Sequence, residues 1–249
     1  MQTTTIQKLN QLNQTMYENV AIEFDQSRAT SWPGWERIVP YFKSSNSQPL
    51  SVLDVGCGNG RFGTFVREQL KETRVDYNGV DSSEKLLELA RAKLVQPSGE
   101  TTLINLDIVD QLLKQQPLVA DQQFDLVVAF GLFHHLPSFT IRSACLQQLV
   151  GQTKIGGILV ITFWQFLNSL KQREHIVKPR SVGVLPEELE ENDYILDWRA
   201  GRVTHRYCHY TNNEEEVALL KQTKLKVIDE FFADGSTHNL NHYLVLKKS

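Results

Sequence analysis

The sequence predicts an α/β fold: a mostly parallel sheet of seven strands, covered by helices and closed by a C-terminal antiparallel hairpin. Two observations predict it. Short apolar runs at Leu50–Val55, Tyr77–Val80, Thr101–Leu106, Phe124–Phe130 and Gly157–Phe163 alternate with amphipathic stretches. Spacers of that length can hold a helix, which returns each strand parallel to the last and covers the sheet. Lys224–Phe232 and His238–Lys247 then leave no room for a helix between them, so they pair antiparallel.

The elements follow in order. Ile6, Leu9, Leu12, Met16, Val20 and Phe24 recur every three or four residues, which predicts one helix over residues 5–25. Pro33 opens the next helix, because a missing N–H costs nothing in a first turn, and that helix runs to about Phe42. Ser44 to Pro49 reads as a loop. Within the alternating region, Ser83–Leu94 and Ser138–Val150 carry apolar residues on one side, as surface helices do. Residues 164–213 lack periodicity, and an irregular stretch of that length in a compact domain is functional or disordered. The chain, 1–249, is thus read as a single domain with an N-terminal helical extension over 1–45 and an insertion over 164–213.

The totals exclude several classes. The chain has 249 residues, 41% hydrophobic and 22% charged, the composition of a globular core. No apolar run reaches the roughly 18 to 20 residues of a membrane span. Met1 to Asn13 is polar, unlike a secretory leader, so an intracellular, cytoplasmic protein is expected. Cys57, Cys145 and Cys208 are far apart and odd in number, matching neither a disulfide framework nor a Cys-x-x-Cys metal site. A net charge of −3 argues against coating nucleic acid indiscriminately, although a local basic patch can still meet RNA.

The first strand runs directly into Asp54-Val55-Gly56-Cys57-Gly58-Asn59-Gly60 and then a helix. Glycines suit a sharp turn whose backbone lies against a ligand, with helix N-terminal N–H groups facing an anionic end. This stretch resembles motif I of the S-adenosylmethionine (SAM) dependent methyltransferases, whose cofactor would lie on Gly56, Gly58 and Gly60 with Asp54 at its methionine end. The rival is a dinucleotide fingerprint, since Gly58-Asn59-Gly60-Arg61-Phe62-Gly63 spells G-x-G-x-x-G, a weak signal by itself. An antiparallel end to the sheet favours the methyltransferases.

Asp81 ends the second strand, where an acid can accept hydrogen bonds from ribose hydroxyls, with Ser82 beside it. Its alternative is a helix cap, which Ser82 and Ser83 supply better. The resemblance places Asp107 on the adenine amino group and Ile108 against its ring, and adds Phe130 to the cofactor site; Asp107 could instead cap a short helix.

After the fourth strand comes Gly131-Leu132-Phe133-His134-His135-Leu136, two histidines where open α/β sheets bind ligands. Tyr17, Arg28, Trp32-Pro33, Asp193 with Trp198, Arg206-Tyr207 with His209, and Asn241 complete a second resemblance. Together these residues resemble the eukaryotic tRNA methyltransferases that act on wobble 5-carboxymethyluridine. Departures are Cys208 in place of a second aromatic, Ile195-Leu196-Asp197-Trp198 in place of Val-Pro-Trp, and Leu240-Asn241-His242 in place of Gly-Asn-Trp.

That resemblance implies methyl esterification of a carboxylate on tRNA and a small zinc-binding activator protein as partner. A carboxylate is ionised at neutral pH and needs no general base. It needs alignment and a cation that selects it, for which arginine is suited. Arg28 and Arg206 are the acceptor-binding candidates, with His134, His135 and His209 behind them. For each arginine the alternative is a framework or surface cation. Arg199, Arg202, His205, Arg206 and His209 form a run without acids, suited to phosphates or simply to solvent. The rival functions are a methyltransferase of a small carboxylic acid or other metabolite, and a SAM-binding protein without catalysis.

Overall fold

In the computed structural model, the structure describes residues 1–28, 30–42, 49–95, 99–120, 122–199 and 203–249. Three helices lead the chain: α1 (Thr3–Asn19), α2 (Ala21–Gln26) and α3 (Pro33–Ile38). The single helix expected over residues 5–25 is broken. Val20 leaves helical geometry (φ −121°, ψ 20°), and Phe24 of α2 folds back edge-on to Tyr17 of α1, ring centroids 5.4 Å apart. Pro33 sits in the first turn of α3, as its missing N–H favours. The expected loop at 44–48 lies outside the described residues.

The alternating region runs β1 (Leu50–Val55), α4 (Arg61–Gln69), β2 (Val75–Asp81), α5 (Glu84–Lys93), β3 (Thr101–Asn105), α6 (Ile108–Leu113), β4 (Phe124–Ala129), α7 (Phe139–Gln152) and β5 (Thr153–Trp164). After it come α8 (Leu170–Arg173), β6 (Ile176–Val177), β7 (Asp193–Trp198), β8 (Thr204–His209), α9 (Asn213–Leu220), β9 (Lys226–Ala233) and β10 (Asn241–Lys247). The main sheet has seven strands in the order β3-β2-β1-β4-β5-β10-β9. β1 to β5 are parallel, and β10 inserts antiparallel between β5 and β9.

Successive side chains of a strand point to opposite faces, so a strand covered on both sides must be apolar throughout. β1 follows this: Leu50 and Val52 join a core with Trp35, Phe62, Val66 and Leu87, while Leu53 and Val55 join the opposite core with Leu112, Leu146 and Leu149. Helices α3, α4 and α5 therefore cover one face, and α6 and α7 the other. The helix caps are local. Ser83 Oγ accepts from the N–H of Leu86 to start α5, and Ser138 Oγ from that of Ile141 to start α7.

Residues 164–213 are not irregular. They hold a second, three-stranded antiparallel sheet in the order β6-β7-β8. Its alternation is hidden because polar side chains occupy inward positions: Arg206, His209 and Asp197 are all under one-tenth exposed. Arg206 aligns with Leu196 and Leu196 with Ile176, and α1 packs along β8. The small sheet and the N-terminal helices thus stand over the carboxyl ends of β1, β2 and β4.

Candidate functional site

A cavity of about 430 Å³ opens at those carboxyl ends, the place where open parallel sheets bind ligands. Its floor is the loop after β1. Gly56 (φ +80°) and Gly58 (φ +53°) adopt left-handed backbone, and a Cβ on Gly56 would stand 3.3 Å from the Leu132 side chain. The amide N–H groups of Gly56 and Cys57 both donate to the Val80 carbonyl, which ties the loop to β2. Gly60 has a different task from the one expected of it. It caps α4 with φ +71°, a Cβ there would meet Ala90 Cβ at 2.8 Å, and it does not line the cavity.

Three acids line this half, each differently committed. Asp54 is buried and accepts from the Tyr77 hydroxyl at 2.6 Å; burial pushes its carboxyl up to about 7 against that hydrogen bond. Asp81 ends β2 and receives the N–H of Gly58 at 2.8 Å on one oxygen and that of Ser83 at 2.9 Å on the other. Each of those oxygens keeps a second lone pair. Asp107 does cap α6, accepting from the Asp110 N–H, and it also receives Asn10 and Gln14 of α1. The capping alternative is thus realised, and an adenine amino group would compete with those side chains. Ser82, Ile108 and Phe130 also line the cavity.

The opposite wall is cationic and aromatic, and Asp234, which also lines the cavity, is committed to Gly34, Asn241 and Tyr243. Arg28 lies over the Phe24 ring at 5.3 Å, and Arg206 over Trp164 at 4.7 Å and Trp198 at 5.7 Å. Arg206 is 7% exposed, and its Nε is buried without a hydrogen-bond partner. Among the described residues neither arginine has a carboxylate within 4.0 Å. Burial and then the Arg206 charge pull the Arg28 pKa down. Two cations kept close without anions are costly unless a ligand supplies the negative charge.

The histidine pair stands beside them as neutral rings. His135 Nδ1 lies 3.0 Å from the Tyr207 carbonyl, which can only accept, so Nδ1 carries the proton. Nε2 therefore accepts from the Tyr17 hydroxyl at 2.7 Å, leaving the Tyr17 oxygen with lone pairs toward the cavity. Burial and Arg206 depress His135 to about 3, and burial, His135 and Arg206 take His134 well below its usual value. His134 Nδ1 is buried with no partner.

His209 does not join this wall. It is 1% exposed and outside the cavity, with Nδ1 2.7 Å from Asp193 and Nε2 2.6 Å from Glu215, which also pairs with Arg142. Burial opposes the charge, but the two carboxylates outweigh it and the His209 pKa is raised. Both ring nitrogens are committed to framework ion pairs, so the expected acceptor role has no free atom to serve it. Asp193 is committed likewise, whereas Asn241 lines the cavity. Arg202 lies outside the described residues.

The sequence reading left several lining residues without a role. Asn10, Asn13 and Gln14, together with Tyr17 of the second resemblance, form a polar stripe on α1 at spacings of three and four, which the apolar stripe masks. Asn13 accepts from the Tyr207 N–H at 2.7 Å and so pins α1 to β8. Asp234, at an Asp-Gly turn, accepts from Gly34 N–H, Asn241 and the Tyr243 hydroxyl, which seats α3 beside the cavity. Trp164 had no detectable signal.

Comparison with known proteins fits this geometry. A family model described as "Methyltransferase domain" matches residues 53–159. The fold is shared with a SAM-dependent methyltransferase of Clostridium acetobutylicum, at a TM-score of 0.64 and 16% identity, covering 94% of this chain and 99% of that one. The matched segment and the shared fold are those of SAM-dependent methyltransferases, and the solved proteins that share the fold include one holding S-adenosyl-L-homocysteine and one holding SAM. Among this chain's relatives is an Encephalitozoon cuniculi protein named as a methyltransferase, 28% identical over 213 residues and covering 86% of both chains. Another is the tRNA (carboxymethyluridine(34)-5-O)-methyltransferase of Macaca fascicularis, 28% identical over 149 residues. That match covers 60% of this chain but 19% of the macaque protein. A Haloferax volcanii methyltransferase solved in complex with its Trm112 activator shares the fold at a TM-score of 0.61 and 13% identity, covering 94% of this chain and 96% of the solved one.

Proposed function

We propose that the protein methylates a carboxylate, that of 5-carboxymethyluridine at the wobble position of tRNA. The observation that carries this is the acceptor wall: Arg28 and Arg206 without carboxylate partners, beside histidines too weakly basic to take a proton. A hydroxyl or amine acceptor would have to lose a proton to a base with a pKa near neutrality. A carboxylate needs none and is what an unpaired guanidinium binds best. Similarity to the carboxymethyluridine methyltransferases supports the same acceptor.

S-adenosylmethionine would supply an electrophilic sulfonium methyl group, whose carbon the substrate's carboxylate oxygen would attack opposite sulfur, the C–O bond forming as the C–S electron pair goes to the departing thioether. Gly56, Gly58 and Asp81 with Ser82 would hold the cofactor's ribose and backbone contacts, Asp54 its ammonium, and Ile108 and Phe130 its apolar faces. Arg28 and Arg206 would grip one carboxylate oxygen and leave the other aimed at the methyl group. Positioning of this kind can account for several kcal/mol of the barrier. Phe24 lies against Arg28, and Trp164 and Trp198 lie against Arg206, which is buried. No proton moves at any residue. A cytoplasmic location and a zinc-binding activator partner accompany this reading. No helix among the described residues is long and apolar enough to cross a membrane.

Single-turnover transfer from labelled SAM to tRNA tests the proposal, at saturating cofactor between pH 6 and 8.5. The rate should be flat, and mild alkali should release the label as methanol from a methyl ester. A rate rising tenfold per pH unit, with alkali-stable label, would exclude carboxyl methylation.

A further inference from the structure

The small sheet carries Arg206 and Trp198 to the acceptor, and its register shows what else stands at that end. Across the strands the rows read Arg206–Leu196–Ile176 and then His205–Asp197–His175. α8, with Lys171 and Arg173, leads into that second row, and Arg199 follows Trp198 out of it. Lys171, Arg173 and Arg199 are all exposed, and Glu174 is the sole acid between residues 165 and 186. Among the described residues, Lys171 and Arg173 have no ion-pair partner.

Both arginines are tethered at one end. Arg173 donates from Nε to the Leu167 carbonyl at 2.5 Å, and Arg199 from Nε to Asp197 at 2.8 Å. Asp197 is itself held by His175 Nδ1 at 2.6 Å. Among the described residues the terminal nitrogens of both guanidinium groups make no other hydrogen bond, so they stand ordered and available. A guanidinium fixed at Nε presents the fork that suits a phosphate, with less side-chain entropy left to lose.

We propose that Lys171, Arg173 and Arg199 form a contact face for RNA phosphates, holding the strand on either side of the nucleotide delivered to Arg206. The inference rests on the tRNA reading above and adds the surface that would recognise the substrate's backbone. It would concentrate positive charge at the small sheet that also carries Arg206, in a chain whose net charge is −3, so RNA is drawn to this element and not to the whole surface. Phosphate contacts of this kind carry no sequence information; they set the register of the strand.

The test compares wild type with Lys171→Glu/Arg173→Glu and, separately, Arg199→Gln, measuring tRNA affinity across a salt series and SAM affinity in parallel. The double variant should bind tRNA at least tenfold more weakly at low salt. Its log–log salt slope should be shallower by about 1.4 to 1.8, since each lost phosphate contact removes about 0.7 to 0.9. Arg199→Gln should flatten it by about one contact, and SAM affinity should be unchanged in both. Unchanged tRNA affinity and slope in variants that still bind SAM would overturn this face while leaving the tRNA reading intact. A wild type that methylates small carboxylic acids but no tRNA would overturn that reading and this face with it.

Discussion

Replacing Arg206 by methionine separates binding energy from fold stability more sharply than any other change. Methionine keeps much of the length and apolar contact with Trp164 and Trp198 but removes the charge and its donors. A charge-assisted hydrogen bond contributes roughly 1.5 to 3 kcal/mol, so losing the grip on a carboxylate should cost about 2 kcal/mol. At 1.36 kcal/mol per tenfold, kcat/KM for methyl transfer should fall about 30-fold. Stability should move the other way or stay level. Arg206 is 7% exposed with an unpartnered Nε and no carboxylate, and a buried unpaired cation is costly to the free protein. The lost cation–π attraction, about 1 to 2 kcal/mol, partly offsets that relief. The assay is transfer of labelled methyl to tRNA with a thermal melt and SAM titration of the same preparation. A variant that melts several degrees lower and loses SAM binding together with turnover would show that Arg206 holds the framework, and the reasoning would fail.

Three further outcomes are expected. Asp81→Ala should weaken SAM binding at least tenfold, about 1.4 kcal/mol, because it removes a ribose acceptor and the tie on the Gly58 amide; calorimetry giving wild-type affinity in a folded variant would reject the assignment. Burial holds Asp54 near pH 7, so if the bound cofactor requires its carboxylate, binding releases a proton and affinity should climb between pH 5.5 and 7 by up to tenfold per unit, with Asp54→Asn abolishing the slope; a flat wild-type profile would contradict this. His209 has a raised folded pKa, so its contribution to stability is full below its unfolded value of about 6.5 and is lost as pH rises through the folded value. His209→Ala should cost about 3 kcal/mol or more by leaving Asp193 and Glu215 without it, while SAM affinity in the surviving folded protein stays near wild type; denaturant melts at pH 6 and 8.5 check both.

Local signals determined most of the sheet and the cofactor loop. A strand buried on both faces has to be an apolar run, so β1 was legible as Leu50–Val55 with no knowledge of its neighbours. The glycines after it were legible because left-handed backbone restricts residue type wherever it occurs. Asp81 at the end of β2 followed from the same alternation. The acceptor wall could not be read that way. It joins Tyr17 and Arg28 from the N-terminal helices, His134 and His135 after β4, Trp164 at the end of β5 and Arg206 of the small sheet, far apart along the chain. Arg206 and His209 lie three residues apart on one strand, yet one is an unpaired cation in the cavity and the other is locked between Asp193 and Glu215. Composition and spacing treat them alike. Which carboxylates stand within hydrogen-bond reach depends on long-range packing, and that decided which charge is free to meet a ligand.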